Sequence, residues 1–185
     1  RRETILALSQ QNSKQFENYF YQSLLDNNPT IRFMCRSTLL KLDHQKDKSY
    51  FVQYYRKVFS RSSNKEVATA VSGFAETARA DEADELLPMM EHSSSKVRRS
   101  VIRALYKLDP NRYREIFIDA LMYDTPKVSR EAKIALSIIR PQVSSDQLLE
   151  LFNIAMSESS ALNVVWLINK KPKWDCIILL LKAVT

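Results

Sequence analysis

The chain has 185 residues, enough for one well-packed domain or one short array of repeats. Hydrophobic residues make up 45% of it, which excludes disorder along the whole chain, and the single glycine, Gly73, is too few for the turns of a hairpin-rich sheet. A net charge of +7 permits a nucleic acid or an acidic protein as partner without requiring either.

Apolar residues recur along the chain with the spacing of one helix face. Within each segment they stand at positions 0, +4, +7, +8 and +11. In chain order the segments begin at Ile31, Val67, Val97 and Val128, with a weaker copy that runs from Glu158 through Leu162, Val165 and Trp166. The two sharpest copies, 95–110 and 126–141, are identical at six of sixteen positions. The sequence therefore predicts a repeat whose first element is an amphipathic helix.

A second amphipathic segment lies between the copies. These segments are 13–25, 47–60, 81–91, 111–123, 144–156 and 173–184. Residues of the kind that cap helix N-termini precede the copies, at Asn28, Ser63, Ser94 and Thr125. One such helix pair cannot bury both of its apolar faces, so neighbouring pairs must stack. With a partial first helix at 1–9, the sequence predicts an all-α solenoid of about six helix pairs.

Two stretches of the chain resemble HEAT repeats. They are D-x-P-x-V-x-x-x-A-x-x-A-L at Asp124–Leu136 and KVRRSVIRAL at 96–105. The short period is similar to that of the bacterial HEAT-like repeats also found in phycobilin lyase-type proteins. The resemblance covers nearly the whole chain and is sharpest for 95–156. It implies a right-handed α-solenoid of about six HEAT-like helix pairs. Because HEAT proteins mostly act as scaffolds or adaptors, it also implies a non-catalytic role in binding a protein partner.

The copy at 95–109, SKVRRSVIRALYKLD, concentrates positive charge on one face. Its basic residues form a stripe opposite the apolar face: Lys96, Arg99, Arg103 and Lys107. We expect this stripe to contact an acidic surface or peptide of a protein partner. The alternatives are the phosphates of a nucleic acid, or a solvated outer face without a partner. Because Arg103 and Lys107 are replaced by Ile134 and Ile138 in the next copy, the stripe belongs to this repeat alone.

Aromatic residues are dense near the N-terminus, in FENYFYQ at 16–22 and YFVQYYRKVF at 50–59. The second stretch carries a mixed aromatic and basic stripe beside its core face: Tyr50, Tyr54, Lys57 and Arg61. We expect the tyrosines to anchor a partner and the cations to pair with its acidic groups. The plainer alternative is that these residues pack the N-terminal repeats, with ordinary exposed tyrosines among them.

The acidic run ADEADELL at 80–87 stands just before the basic stripe in the sequence. It opens a predicted helix, where negative charge favours the positive end of the helix dipole. We also expect it to pair electrostatically with the neighbouring Lys and Arg stripe.

Patterns that carry catalysis or bind metals are missing from the sequence. There is no Gly-rich phosphate loop, GxSxG motif or Cys–His pair, and His44 and His92 are isolated. We therefore expect no enzyme activity, cofactor or metal. The alternative to a scaffold is a nucleic-acid-binding HEAT-like protein, with or without the activity of the DNA glycosylases of this family, which use Trp and Asp in a basic groove. Trp166, Trp174 and Asp175 fit that pattern only weakly, because the basic residues concentrate elsewhere.

The chain ends and the cysteines give expectations about context. Because the chain begins with Arg1, we expect residues 1–185 to be a single repeat domain excised from a longer chain. No apolar run reaches the roughly 18 residues of a membrane span. Cys35 and Cys176 lie in separate apolar patterns, which favours buried thiols and a cytoplasmic location. The last segment, CIILLLKAV at 176–184, is apolar almost all round, so we expect self-association through it unless more chain follows.

Overall fold

The helices follow the predicted order along the chain. A computed structural model describes residues 1–11, 14–139, 144–155, 157–174, 177 and 181, and none of these lies in a β-strand. The α-helices are α1 (Arg2–Gln11), α2 (Glu17–Ser23), α3 (Pro29–Leu42), α4 (Lys48–Val58), α5 (Asn64–Thr77), α6 (Ser95–Leu108), α7 (Arg114–Tyr123), α8 (Pro126–Ile138), α9 (Ser145–Asn153) and α10 (Glu158–Ile168). Two 3₁₀ helices span Lys14–Phe16 and Ala80–Glu91. The all-α class is confirmed for the described residues, and none of their helices is long and apolar enough to cross a membrane.

Side-chain caps fix several of the helix starts. The side chains of Asn28 and Ser63 accept hydrogen bonds from backbone N–H groups in the first turns of α3 and α5, as predicted. Thr125 is the N-cap residue of α8, as predicted, but its side chain makes no capping hydrogen bond. Pro126 follows directly at the first position of α8 and has no N–H, so this helix has one donor fewer to satisfy.

The chain forms two compact units, Arg1–Ala104 and Leu105–Thr185. In the first unit, α1 and α2 pack on α3, and α4 packs on α5. In the second unit, α7 packs on α8, α9 packs on α10, and α10 also contacts α7 and α8. Short turns thus join helices that pack on their neighbours within each unit. The single repeat domain and the right-handed solenoid stay predictions.

The first four positions of the repeat register are confirmed for α3, α5, α6 and α8, whereas at +11 Ile139 is buried and Leu42, Ala78 and Leu108 are half-buried. In all four helices, positions 0, +4, +7 and +8 are buried. These residues are Ile31, Cys35, Thr38 and Leu39; Val67, Val71, Phe74 and Ala75; Val97, Val101, Ala104 and Leu105; and Val128, Ala132, Ala135 and Leu136. The apolar stripe of each helix therefore faces the core, as its spacing predicts.

The predicted register of α10 is wrong by two residues. The side chain of Leu162, expected in the core, is 59% exposed, whereas Ser160, Val164 and Leu167 are buried. The buried set again follows 0, +4 and +7, but it starts at Ser160. Its hydroxyl can be buried because it donates to the backbone carbonyl of Met122 at 2.9 Å. The polar Ser160 thus occupies the first position of the observed register, where the sequence pattern requires an apolar residue.

A buried ionic network ties α3, α4 and α5 together in the first unit. The guanidinium of Arg32 donates two hydrogen bonds to the carboxylate of Glu76, and Arg36 pairs with the same carboxylate at 2.9 Å. Arg36 also donates to the hydroxyl of the buried Tyr55 at 3.0 Å. One carboxylate therefore neutralises part of two buried positive charges and fixes three helices relative to one another.

Gly73, the only glycine of the chain, lies against Tyr55 inside this unit. A Cβ atom at position 73 would overlap the ring of Tyr55 and lie 2.8 Å from its hydroxyl oxygen. The close approach of α5 to this ring is therefore what requires a residue without a side chain.

The 3₁₀ helix Ala80–Glu91 replaces the α-helix predicted for 81–91. Its buried residues, Ala83, Leu86 and Met89, are spaced by three. That spacing matches the three residues per turn of a 3₁₀ helix and gives it one buried face. The helix also contains Pro88, which has no N–H for a helix-interior hydrogen bond.

Candidate functional site

Tyr50 and Tyr54, two of the predicted anchors, belong to a tyrosine cluster with Tyr21 of α2. The hydroxyls of Tyr50 and Tyr21 lie 2.9 Å apart, and the hydroxyl of Tyr54 donates to the backbone carbonyl of Tyr21 at 3.0 Å. Burial raises the pKa of Tyr54. The hydroxyls of both predicted anchors are thus already engaged within the first unit.

Lys46 completes this cluster, and sequence reasoning missed it because no motif includes it. Its Nζ lies 3.0 Å from carboxylate oxygens of both Glu17 and Asp43, and about as close to the Tyr21 ring (5.5 Å to the centroid) as to the Tyr50 ring (5.4 Å). Burial tends to lower the pKa of Lys46, but hydrogen bonds with Tyr21, Asp43 and Glu17 outweigh it and raise the pKa. For Tyr21, by contrast, burial raises the pKa to about 12, although the hydrogen bond with Lys46 acts to lower this pKa. The charged side chain of Lys46 therefore links α2 to the start of α4.

The other two residues of the predicted aromatic and basic stripe differ in their surroundings. Arg61 is exposed and pairs with Glu66 at 3.1 Å. It lines an open groove of about 500 Å³ together with Tyr21, Tyr54 and Lys65. Lys57 is exposed and does not line this groove. Tyr54 and Arg61 thus line the same groove. Tyr50 contacts Tyr21 in the tyrosine cluster but does not line the groove, and Lys57 faces solvent.

The basic stripe of α6 lies opposite the buried face of that helix. Lys96 and Arg103 are exposed, and so is Lys107, which falls in the second unit. Arg99 is half-buried, and its Nε is buried without a hydrogen-bond partner among the described residues. Packing therefore holds the stem of Arg99, with no hydrogen bond at Nε.

The acidic run before α6 is engaged by arginines that lie outside the stripe. Glu82 and Glu85 both pair with Arg56 of α4, and Asp81 pairs with Arg79. Glu82 also accepts a hydrogen bond from the backbone N–H of Arg79 at 2.9 Å, which caps the start of the 3₁₀ helix. The predicted role at a helix start is confirmed. The predicted pairing with the stripe is wrong for these three carboxylates, because Arg56 and Arg79 hold them.

Arg98 is a half-buried residue in the first turn of α6. It donates hydrogen bonds to the backbone carbonyls of His92 at 2.7 Å and Ser93 at 3.1 Å. These carbonyls follow the end of the 3₁₀ helix, so Arg98 satisfies acceptors of the turn that leads into α6.

A second groove, of about 460 Å³, lies between α8 and α10 in the second unit. Its walls include Arg130, Lys133 and Ile134 of α8, with Asn163 and Trp166 of α10. The Nζ of Lys133 lies 4.7 Å from the centroid of the Trp166 ring and 3.3 Å from the side-chain oxygen of Asn163. Burial lowers the pKa of Lys133. Sequence reasoning missed this groove because the wrong register placed Trp166 in the core.

The remaining candidates from the sequence are the tryptophan and aspartate near the C-terminus, the cysteines and the apolar end of the chain. Trp174 is exposed, while Asp175, Cys176, Leu180 and most of 176–184 lie outside the described residues. Cys35 is a buried free thiol, and burial raises its pKa to about 12. No group of three or more potential metal ligands occurs among the described residues.

No protein-family model matches the chain, and a search of curated proteins gives no match.

Proposed function

We propose that the protein is a non-catalytic, cytoplasmic scaffold of the HEAT-like solenoid type that presents helix faces to a protein partner with acidic groups. The observation that carries this proposal is the basic stripe of α6. The stripe lies opposite the buried face of α6. Because that face is fixed in the core, the stripe stays on the surface side of the helix. The buried free thiol of Cys35 also fits a reducing compartment.

The charges around the stripe support an acidic partner. Lys96 makes no ion pair with any described residue, and Asp81, Glu82 and Glu85 of the preceding acidic run pair with Arg79 and Arg56. A cation such as Lys96, without an ion pair among the described residues, raises the local concentration of an anionic partner and speeds its association. A carboxylate-rich protein surface is therefore the partner that this helix suits best.

The stripe can be tested by photo-crosslinking in the cell that makes the protein. A benzoylphenylalanine side chain at position 96 is expected to give a protein adduct of defined mass, because partner atoms would lie within reach of the exposed face of α6. Adding Arg103→Glu is expected to reduce the adduct about tenfold, since it reverses a charge about two turns along the same face. The readout is the yield and identity of the adduct by mass spectrometry.

A crosslinker at Lys41, exposed on α3 outside the stripe, is the matched control and should give no such adduct. Circular dichroism checks that Arg103→Glu folds. An adduct with nucleic acid would support the alternative reading instead. Retention on a DNA column at about 50 mM salt would support the same alternative if the retention falls steeply as the salt concentration rises. No adduct from position 96 would contradict the proposal.

A further inference from the structure

We propose that the groove between α8 and α10 binds an acidic segment of a protein partner that also carries apolar side chains. Arg130, Lys133 and Trp166 would be its main contacts. This site goes beyond the function proposed above, because it lies in the second unit and depends on none of the residues of the α6 stripe.

The groove carries positive charge without a carboxylate to balance it. Among the residues that line it, Arg130 and Lys133 are basic and none is acidic. Arg130 is exposed and makes no ion pair with any described residue, while the Nζ of Lys133 contacts only the neutral Asn163 and Trp166 side chains. A cation without a neighbouring carboxylate keeps most of its attraction for an anion, because no charge of the protein balances it. Charge complementarity therefore favours an occupant with carboxylates.

Trp166 gives this groove its second feature. The ring lies within reach of two ammonium groups, with Lys133 at 4.7 Å and Lys170 at 5.1 Å from its centroid. Its indole N–H has no hydrogen-bond acceptor among the described residues. Tryptophan and arginine are the side chains most often found as hot spots of protein interfaces. A bound carboxylate could accept from the indole and pair with the lysine at the same place.

Exposed apolar side chains around the groove favour a peptide over a nucleic acid. Ile134 lines it and is 42% exposed, and Ile138 and Leu162 on the same two helices are 56% and 59% exposed. Aliphatic side chains have no counterpart in a phosphate backbone, whereas they pack well against leucine or valine of a peptide. The surface thus suits a segment in which acidic and apolar residues occur together.

The experiment uses random peptides about twelve residues long, displayed on phage and selected on the full chain. A parallel selection is done on the Arg130→Glu, Lys133→Glu double variant. The enriched peptides are expected to carry Asp or Glu next to apolar residues. In a Trp174→Phe background, where Trp166 is the only tryptophan, a synthetic consensus peptide is expected to change the fluorescence. The double variant should weaken its binding about a hundredfold.

The control is Lys41→Glu with Lys48→Glu, which changes the net charge equally at exposed sites of the first unit and should leave the affinity unchanged. If the double variant does not fold, Arg130→Gln with Lys133→Gln replaces it. Two results would overturn the proposal: enriched peptides without acidic residues, or equal enrichment on the double variant. A single-stranded DNA of about twelve nucleotides that displaces the peptide and binds more tightly would also overturn it.

Discussion

Glu76 shows how much of the first unit depends on single side chains. The side chains of Arg32 and Glu76 are 4% and 12% exposed, and Arg36 shares the same carboxylate. The sequence could not reveal this network, because charged residues on α3 look like a solvent-facing stripe. No local pattern pairs them with a residue some forty positions away in the chain. Sequence reasoning fixes which residues share a helix face, but not which charges meet across helices.

Replacing Glu76 with glutamine is expected to destabilise the fold strongly. The change leaves two buried guanidinium groups without their shared counter-charge, which typically costs about 3–5 kcal/mol. The measurement is the free energy of unfolding from urea titration followed by circular dichroism.

Glu66→Gln is the matched control, because it removes the same charge from the exposed pair with Arg61. It should cost at most about 1 kcal/mol. Equal effects of the two substitutions would contradict the buried network.

At the scale of a helix, the repeat pattern predicted burial well wherever its first position was apolar. It succeeded for α3, α5, α6 and α8 and failed for α10, where Ser160 holds that position. The serine is tolerated because its hydroxyl donates to the backbone carbonyl of Met122 and can accept from the hydroxyl of Ser157, 2.8 Å away. Such a partner lies outside the helix itself, so hydrophobic spacing alone cannot find it. The same two-residue error concealed the groove beside Trp166.

Two substitutions on α10 distinguish the observed register from the predicted one. Leu162→Lys is expected to change stability by less than about 0.5 kcal/mol, because the side chain is already exposed. Val164→Lys, two residues further on, is expected to cost about 4 kcal/mol or more, since it buries an unpaired ammonium. Thermal unfolding followed by circular dichroism measures both. The opposite order of effects would restore the register read from the sequence.

At the scale of the whole molecule, the class and the order of the helices could be predicted from the sequence, but the division into two units could not. Periodic spacing predicts helices and their faces, whereas the way the chain partitions depends on how many side chains each pair buries against its neighbours. The tyrosine cluster, the buried arginines and the close contact at Gly73 all belong to the first unit. They give it a core of its own.

A fragment of residues 1–109, which contains all of α6, is therefore expected to fold alone. Its urea unfolding, followed by circular dichroism, should be a single cooperative transition. Glu76→Gln should lower the midpoint of this transition, as in the full chain. A fragment ending at residue 92 should lose this cooperativity, because it lacks the buried Val97, Val101 and Ile102. A non-cooperative transition in the longer fragment would show that the first unit needs the second.

The contact between Gly73 and Tyr55 also constrains how this protein can change over evolution. A side chain at position 73 collides with a ring whose hydroxyl is held by Arg36, so the ring cannot simply move aside. A lineage can gain a larger residue at 73 only after the residue at 55 has become smaller. The order of the two steps is fixed, and homologous chains should therefore show the two positions varying together.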